Sequence, residues 1–127
     1  VGLSKTYCAN ELITDSGAGG TAIATGQKTN YHYVGVDVNG NELPSLITLS
    51  KQKGMSAGIA VTCRLWDATP ADFCCHNIDR DDEYDLIADY VRRTSWGRNS
   101  ASRRVCHGAF WNCSNALNSG HRWSLQP

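Results

Sequence analysis

Apolar residues fall in short, separated groups along the chain, and the spacing inside each group predicts a different element. Leu12 and Ile13 form the apolar centre of Tyr7 to Asp15, which reads as a strand edge running into a turn. Ser16-Gly17-Ala18-Gly19-Gly20 carries no large side chain and reads as a tight bend. Thr21 to Thr25 then opens a helix, closed by Gly26 as its C-terminal cap. Residues 27–44 have no clear period and read as loop, with a turn at Asn39-Gly40. Ser45 to Lys53 sets Leu46, Ile47 and Leu49 on one side and ends before Gly54, the pattern of a short amphipathic helix. Ala57 to Cys63 is a short apolar, partly β-branched run and reads as a buried strand. Pro70 suits the first turn of a helix, with Thr69 as its cap. Asp81 to Val91 is a further helix, with acids in its first turn and Leu86, Ile87 and Tyr90 as its apolar face.

Strands alternating with helices imply an α/β class with a mainly parallel sheet. A chain of 127 residues and 13.9 kDa has room for one modest domain. Hydrophobic residues make up 41%, ordinary globular usage, which argues against a fully disordered chain. No apolar run approaches the roughly 20 residues that cross a bilayer, so no membrane span is expected. Val1-Gly2-Leu3-Ser4-Lys5 has neither a signal-peptide apolar core nor an initiator Met, which suggests that sequence is missing upstream.

The formal net charge of zero conceals a split. Residues 1–91 hold all 12 acidic residues and half of the 12 basic ones. Residues 92–127 hold Arg92, Arg93, Arg98, Arg103, Arg104 and Arg122 with no acid, and also three of the four Trp. The expected boundary therefore lies between a domain at 1–91 and a basic, Arg- and Trp-rich tail at 92–127. Such a tail could contact nucleic acid through phosphates and stacking, but a solvated run of charge is the favoured reading. Cys8, Cys63, Cys74, Cys75, Cys106 and Cys113 match no C-x-x-C or zinc-finger spacing and read as small buried or free thiols.

Three segments carry candidate chemistry. In Thr14-Asp15-Ser16-Gly17-Ala18-Gly19-Gly20-Thr21, Ser16 lies between an expected strand and an expected helix, where unpaired N–H groups and the helix dipole favour an anion. A hydroxyl there is placed to attack phosphorus, although a Ser in a Gly-rich bend is more often only a turn or cap residue. In Trp66-Asp67-Ala68-Thr69-Pro70-Ala71, Asp67 and Thr69 offer hard oxygens suited to Mg²⁺; capping of the following helix is the plainer alternative. In His76-Asn77-Ile78-Asp79-Arg80-Asp81-Asp82-Glu83, Arg80 is a planar donor fork for phosphate, or else a surface cation among carboxylates.

Taken together and in this order, the segments resemble bacterial alkaline phosphatases. The Asp-Ser-Gly-Ala-Gly-Gly-Thr bend is similar to that family's nucleophile signature. Thr25-Gly26-Gln27-Lys28-Thr29, Gly35-Val36-Asp37, Asp67-Ala68-Thr69-Pro70-Ala71 and His76-x-x-x-Arg80 follow in the family order and spacing, over about residues 1–91. The resemblance implies part of a three-layer αβα fold with a mainly parallel sheet, and a phosphomonoester hydrolase working through a phosphoserine. It implies that Ser16 is the nucleophile facing a Zn²⁺ pair, that Asp15 holds Arg80, and that Arg80 clamps the phosphoryl group. Asp67 and Thr69 would serve Mg²⁺. It also implies a phosphate monoester substrate, a periplasmic or extracellular location and a possible homodimer for the full-length parent.

The zinc ligands are not recognisable here. From residue 92 onward the chain offers His107 and His121 but no Asp or Glu, and a zinc site needs about four ligands. The chain is therefore expected to be an incomplete, poorly active fragment, with 92–127 out of frame or otherwise unrelated to the family. The alternative is a non-catalytic binding module using the basic tail.

Overall fold

The structure is a computed structural model and describes residues 1–95. Most of the basic tail, with Cys106, Cys113, His107 and His121, lies outside the described residues, and so does any reading of it as a nucleic-acid contact.

Helix α1 spans Ser16–Thr25, so the expected bend at 16–20 is helical from its first residue. Asp15 is the cause. Its carboxylate accepts the N–H groups of Gly17 and Ala18, two of the donors that a helix start leaves without partners. The small residues are used for close approach rather than for bending. An ideal Cβ on Gly20 would lie 1.9 Å from Asp72 Oδ2. The helix stops at Gly26, left-handed at φ 78°, whose N–H returns to Ala22 O.

Residues 27–44 form the expected loop. Asp37 Oδ1 accepts both Asn39 N and Asn41 N at 2.8 Å, and Gly40 takes a positive φ. An isolated antiparallel bridge of Val34 with Asn77 fixes this loop against the segment after the third helix, and a second, Val36 with Glu42, closes the loop on itself.

Helix α2 spans Leu46–Gln52, capped by Ser45, whose Oγ accepts Thr48 N and also donates to Phe73 O at 2.7 Å. None of its residues is fully buried: on the expected apolar face Ile47 is half-buried, while Leu46 and Leu49 are exposed. Helix α3 spans Ala68–Cys74. Its cap position is Asp67 rather than Thr69, which lies inside the first turn beside Pro70, where the missing N–H costs nothing. Helix α4 spans Glu83–Ser95. It starts after the expected Asp81 because Asp79 and Asp82 build the entry turn: Asp79 Oδ1 accepts Asp81 N, and Asp82 Oδ1 accepts Asp85 N. Arg92 and Arg93, read from sequence as the start of the tail, form its last turn. Ile87, expected on the apolar face, is exposed, and the buried positions are Leu86 and Asp89.

Val34, Ala71, Cys75 and Leu86 make the core, with Trp66, Cys74 and Tyr90 packed against it. Cys74 ends α3 and Cys75 is its C-cap, Cys75 being buried and Cys74 half-buried; neither forms a disulfide among the described residues. Neither expected strand forms among the described residues. In Tyr7 to Asp15, Leu12 and Ile13 are 90% and 81% exposed, and Cys8 is buried instead. Ala57 to Cys63 is irregular, with a bend at its end, and is partly exposed. A strand needs a continuous ladder to satisfy its N–H and C=O groups; Tyr7 to Asp15 meets residues 28–31, with Ala9 N donating to Thr29 O at 2.8 Å and Asn10 Oδ1 accepting Tyr31 N at 2.8 Å, but forms no ladder among the described residues. No described helix is long and apolar enough to cross a membrane.

Candidate functional site

Two neighbouring residues and a third 64 positions further along the chain meet at the N-terminus of α1. Asp15 caps the helix, Ser16 is its first residue, and Arg80 arrives from the turn between α3 and α4. Arg80 Nη1 donates to Asp15 Oδ2 at 3.2 Å and to Ser16 Oγ. The loop at His32 locks both ends of this contact: His32 N donates to Asp15 Oδ1 at 3.3 Å, and His32 O accepts Arg80 N at 2.9 Å. His32 takes φ 69°, a left-handed conformation uncommon for a side-chain-bearing residue. The Asp15 side chain is 8% exposed and that of Arg80 27%, while Ser16 is exposed. A hydroxyl thus sits at the surface on a buried ionic base.

Burial alone would push the Asp15 carboxyl up. The N–H of Ala18, the Arg80 guanidinium and the N–H groups of Gly17 and His32 outweigh it and hold the carboxyl below the usual carboxylate range. Asp15 is therefore a fixed anion whose two oxygens are fully occupied. This corrects one expectation about the helix start. The N–H groups of Gly17 and Ala18 are not open to a phosphoryl group, because Asp15 already takes them. The donor left facing Ser16 Oγ is Arg80.

Asp67 and Thr69 sit at the start of α3. Asp67 is closed by Arg64, which donates its backbone N–H to Oδ2 at 3.0 Å and Nε to Oδ1 at 3.1 Å, with Nη2 also 3.0 Å from Oδ1. Thr69 is exposed on a groove lined with Ile59, Val61, Pro70 and Phe73. His76 is structural: its Nε2 lies 3.0 Å from Leu43 O and its N–H donates to Asp89 Oδ2.

A group that the sequence pattern did not single out lies beside Arg80. His32 Nδ1 is 3.7 Å from Asp79 Oδ1 and 3.8 Å from Asp81 Oδ2, a set of donors near enough to share a cation. Two of these carboxylates flank Arg80 in the sequence, which was the available signal. The position of His32 comes from the loop geometry and could not be read from its neighbours. Asp15 has no oxygen to spare, so the described residues do not assemble a zinc pair around Ser16.

Comparison with known proteins gives a consistent result. A family model described as alkaline phosphatase matches residues 1–105. Alkaline phosphatase 4 of Bacillus subtilis is 42% identical over 79 residues, covering 62% of this chain and 17% of that protein. The alkaline phosphatase of Schizosaccharomyces pombe is 42% identical over 90 residues, covering 71% and 17%. The crystal structure of a cold-active alkaline phosphatase from a psychrophilic Shewanella superposes with a TM-score of 0.70 at 38% identity, over 74% of this chain and 24% of that one. The described residues therefore have an alkaline-phosphatase-like fold, and the chain spans less than a quarter of the length of these relatives. The nucleophile-like serine, its aspartate cap and the arginine that joins them stand in that setting, and the chain belongs to the alkaline phosphatase family.

Proposed function

We propose that this chain is the nucleophile-bearing part of a metal-dependent phosphomonoester hydrolase. The observation that carries the reading is the convergence of Asp15, Ser16 and Arg80, from two elements far apart in sequence, on one exposed hydroxyl. Ser16 Oγ forms a bond to phosphorus as the ester P–O bond breaks and the alcohol departs, leaving a phosphoserine that water then cleaves. Arg80 neutralises the equatorial oxygens of the transferring group, the main requirement of phosphoryl transfer. Asp15 fixes the guanidinium and the start of α1 together. It does not act as a base, since both of its oxygens are already bonded.

Removal of the Ser16 proton is the step for which the described residues supply no partner. Zn²⁺ is the family's means of activating such a hydroxyl, and Mg²⁺ would draw on Asp67 and Thr69 once Arg64 gave way. The same reading places residues 57–63, with Ile59 and Val61, as a strand of a mainly parallel sheet between helical layers. It takes a phosphate monoester as substrate, a periplasmic or extracellular location, and a homodimer for the full-length protein. The domain boundary proposed at residue 91 rests on the end of the acidic residues, although α4 and the family match both run past it. Sequencing the encoding DNA tests the separate origin of 92–127, which a single frame continuing the family pattern on both sides contradicts.

A chimera tests the function. Residues 8–91 of this chain are placed into the B. subtilis relative, whose remaining length supplies the other ligands. The expected result is metal-dependent hydrolysis of p-nitrophenyl phosphate, abolished by Ser16→Ala and lowered by Arg80→Ala by about 10²–10³-fold, the cost of one transition-state donor. Activity retained after Ser16→Ala contradicts the assignment.

A further inference from the structure

A second aspartate lies underneath the site and has no part in the reading above. Asp72, on the face of α3 that packs against α1, is 1% exposed. Its Oδ1 accepts the Thr21 hydroxyl at 2.9 Å, and its Oδ2 has no hydrogen-bond partner. Among the described residues no cation forms an ion pair with it. The carboxyl occupies the notch left by Gly20: a Cβ there would lie 1.9 Å from Oδ2 and 2.9 Å from the carboxyl carbon. Thr21 Oγ in turn accepts Gly35 N at 2.8 Å. One side chain thus ties α1, α3 and the 32–35 loop together, and that same loop holds Asp15 and Arg80 through His32.

A carboxylate with a single hydroxyl donor and a bare second oxygen is a poor occupant of such a site, whereas a carboxylic acid of the same shape is tolerated. We propose that Asp72 is a positioning residue that works as a neutral acid: protonated, it seats α1 against α3 and so fixes Ser16, and loss of its proton loosens that helix pair. The significance of the device rests on Ser16 being the nucleophile, but the device itself does not.

The charged groups facing Asp72 are Asp15 at the start of α1 and Arg80 from the turn after α3. Burial pushes the carboxyl up, the Thr21 hydroxyl opposes it, Asp15 adds to the rise and Arg80 opposes it, leaving the carboxyl at about 9. In the unfolded chain the same group ionises near its ordinary value of 3.8. Between these two values the unfolded state sheds a proton that the folded state keeps. The contribution of Asp72 is therefore most favourable below about pH 4 and declines steadily up to about pH 9.

The test uses the full chain and needs no activity. The carboxyl carbons of the aspartates are followed by NMR against pH, and Tm is measured from pH 4 to pH 10. In the unmodified protein one aspartate is expected to titrate well above pH 7. Asp72→Asn, which keeps the shape without the charge, should remove that resonance, leave Tm unchanged at pH 4 and raise it at pH 8 and above. An Asp72 that titrates near 4 in the unmodified protein overturns the proposal, whatever the variant does. So does an Asp72→Asn chain whose Tm falls by the same amount at every pH. Failure of either arm leaves the phosphatase reading standing, and loss of hydrolysis in the chimera leaves these titrations interpretable.

Discussion

At the scale of single residues, the arrangement depends on Asp15. It caps α1, anchors Arg80 and receives His32, and all four bonds require the ionised carboxylate. A carboxyl held below its ordinary range contributes stability that is present above the unfolded value near 4 and is lost as pH falls through the folded one. Asp15→Asn, which keeps a cap oxygen but loses the charge that holds Arg80, is expected to cost about 1–3 kcal/mol at pH 7, the range of a charge-assisted hydrogen bond. The difference from the parent should shrink as pH falls from the unfolded value near 4 through the lower folded one in a denaturation series, and a constant penalty down to the acid limit contradicts the ionic role. Arg80→Lys should recover only part of the chimera's activity lost in Arg80→Ala, because an ammonium cannot hold Asp15 Oδ2 and a phosphoryl oxygen with one planar fork.

At the scale of elements, the four helices were legible because their signals are local. Ser45, Gly26 and Gly54 set ends that need only neighbouring residues to be understood. Asp15 misled in one respect: its cap turns a glycine-rich stretch into helix, and glycine's low propensity is overruled by the close contact with Asp72. The two expected strands do not form among the described residues for a different reason, since pairing is a property of two segments and Ile59 and Val61 have no described neighbour strand. His32 and Asp72 escaped notice because a left-handed loop residue and a buried acid on a helix are both imposed by tertiary packing. Ser16, Arg80 and Asp15 were legible as a set only because their order and spacing resemble those of a family. Gly20→Ala tests the close approach of α1 and α3. The added methyl is expected to destabilise the fold by about 1–3 kcal/mol in a urea titration. A neutral or stabilising result, as helix propensity alone predicts, contradicts the contact.

At the scale of the molecule, the core is small and much apolar surface stays open. Leu46 and Leu49 on α2 are exposed, and Ile59, Val61 and Phe73 line a groove beside them. Uncovered apolar surface of this kind favours self-association. Leu49→Lys is therefore expected to reduce light scattering at a given concentration without lowering Tm; a drop in Tm would show that Leu49 packs more than its exposure indicates. The same incompleteness governs catalysis. With Zn²⁺ and Mg²⁺ added, the 127-residue chain is expected to show no appreciable hydrolysis of p-nitrophenyl phosphate, as Ser16 has no described group to take its proton. Phosphate recognition, in contrast, requires only the geometry already present. Titration of the isotopically labelled chain with inorganic phosphate, followed by NMR, examines that geometry directly. Saturable shifts at the Arg80 Nε–H and at the Ser16 and Gly17 amides, abolished by Arg80→Ala, are the predicted result. Shifts confined to Lys28, Arg64 or other basic groups, or unchanged in Arg80→Ala, would contradict a phosphoryl site at the start of α1.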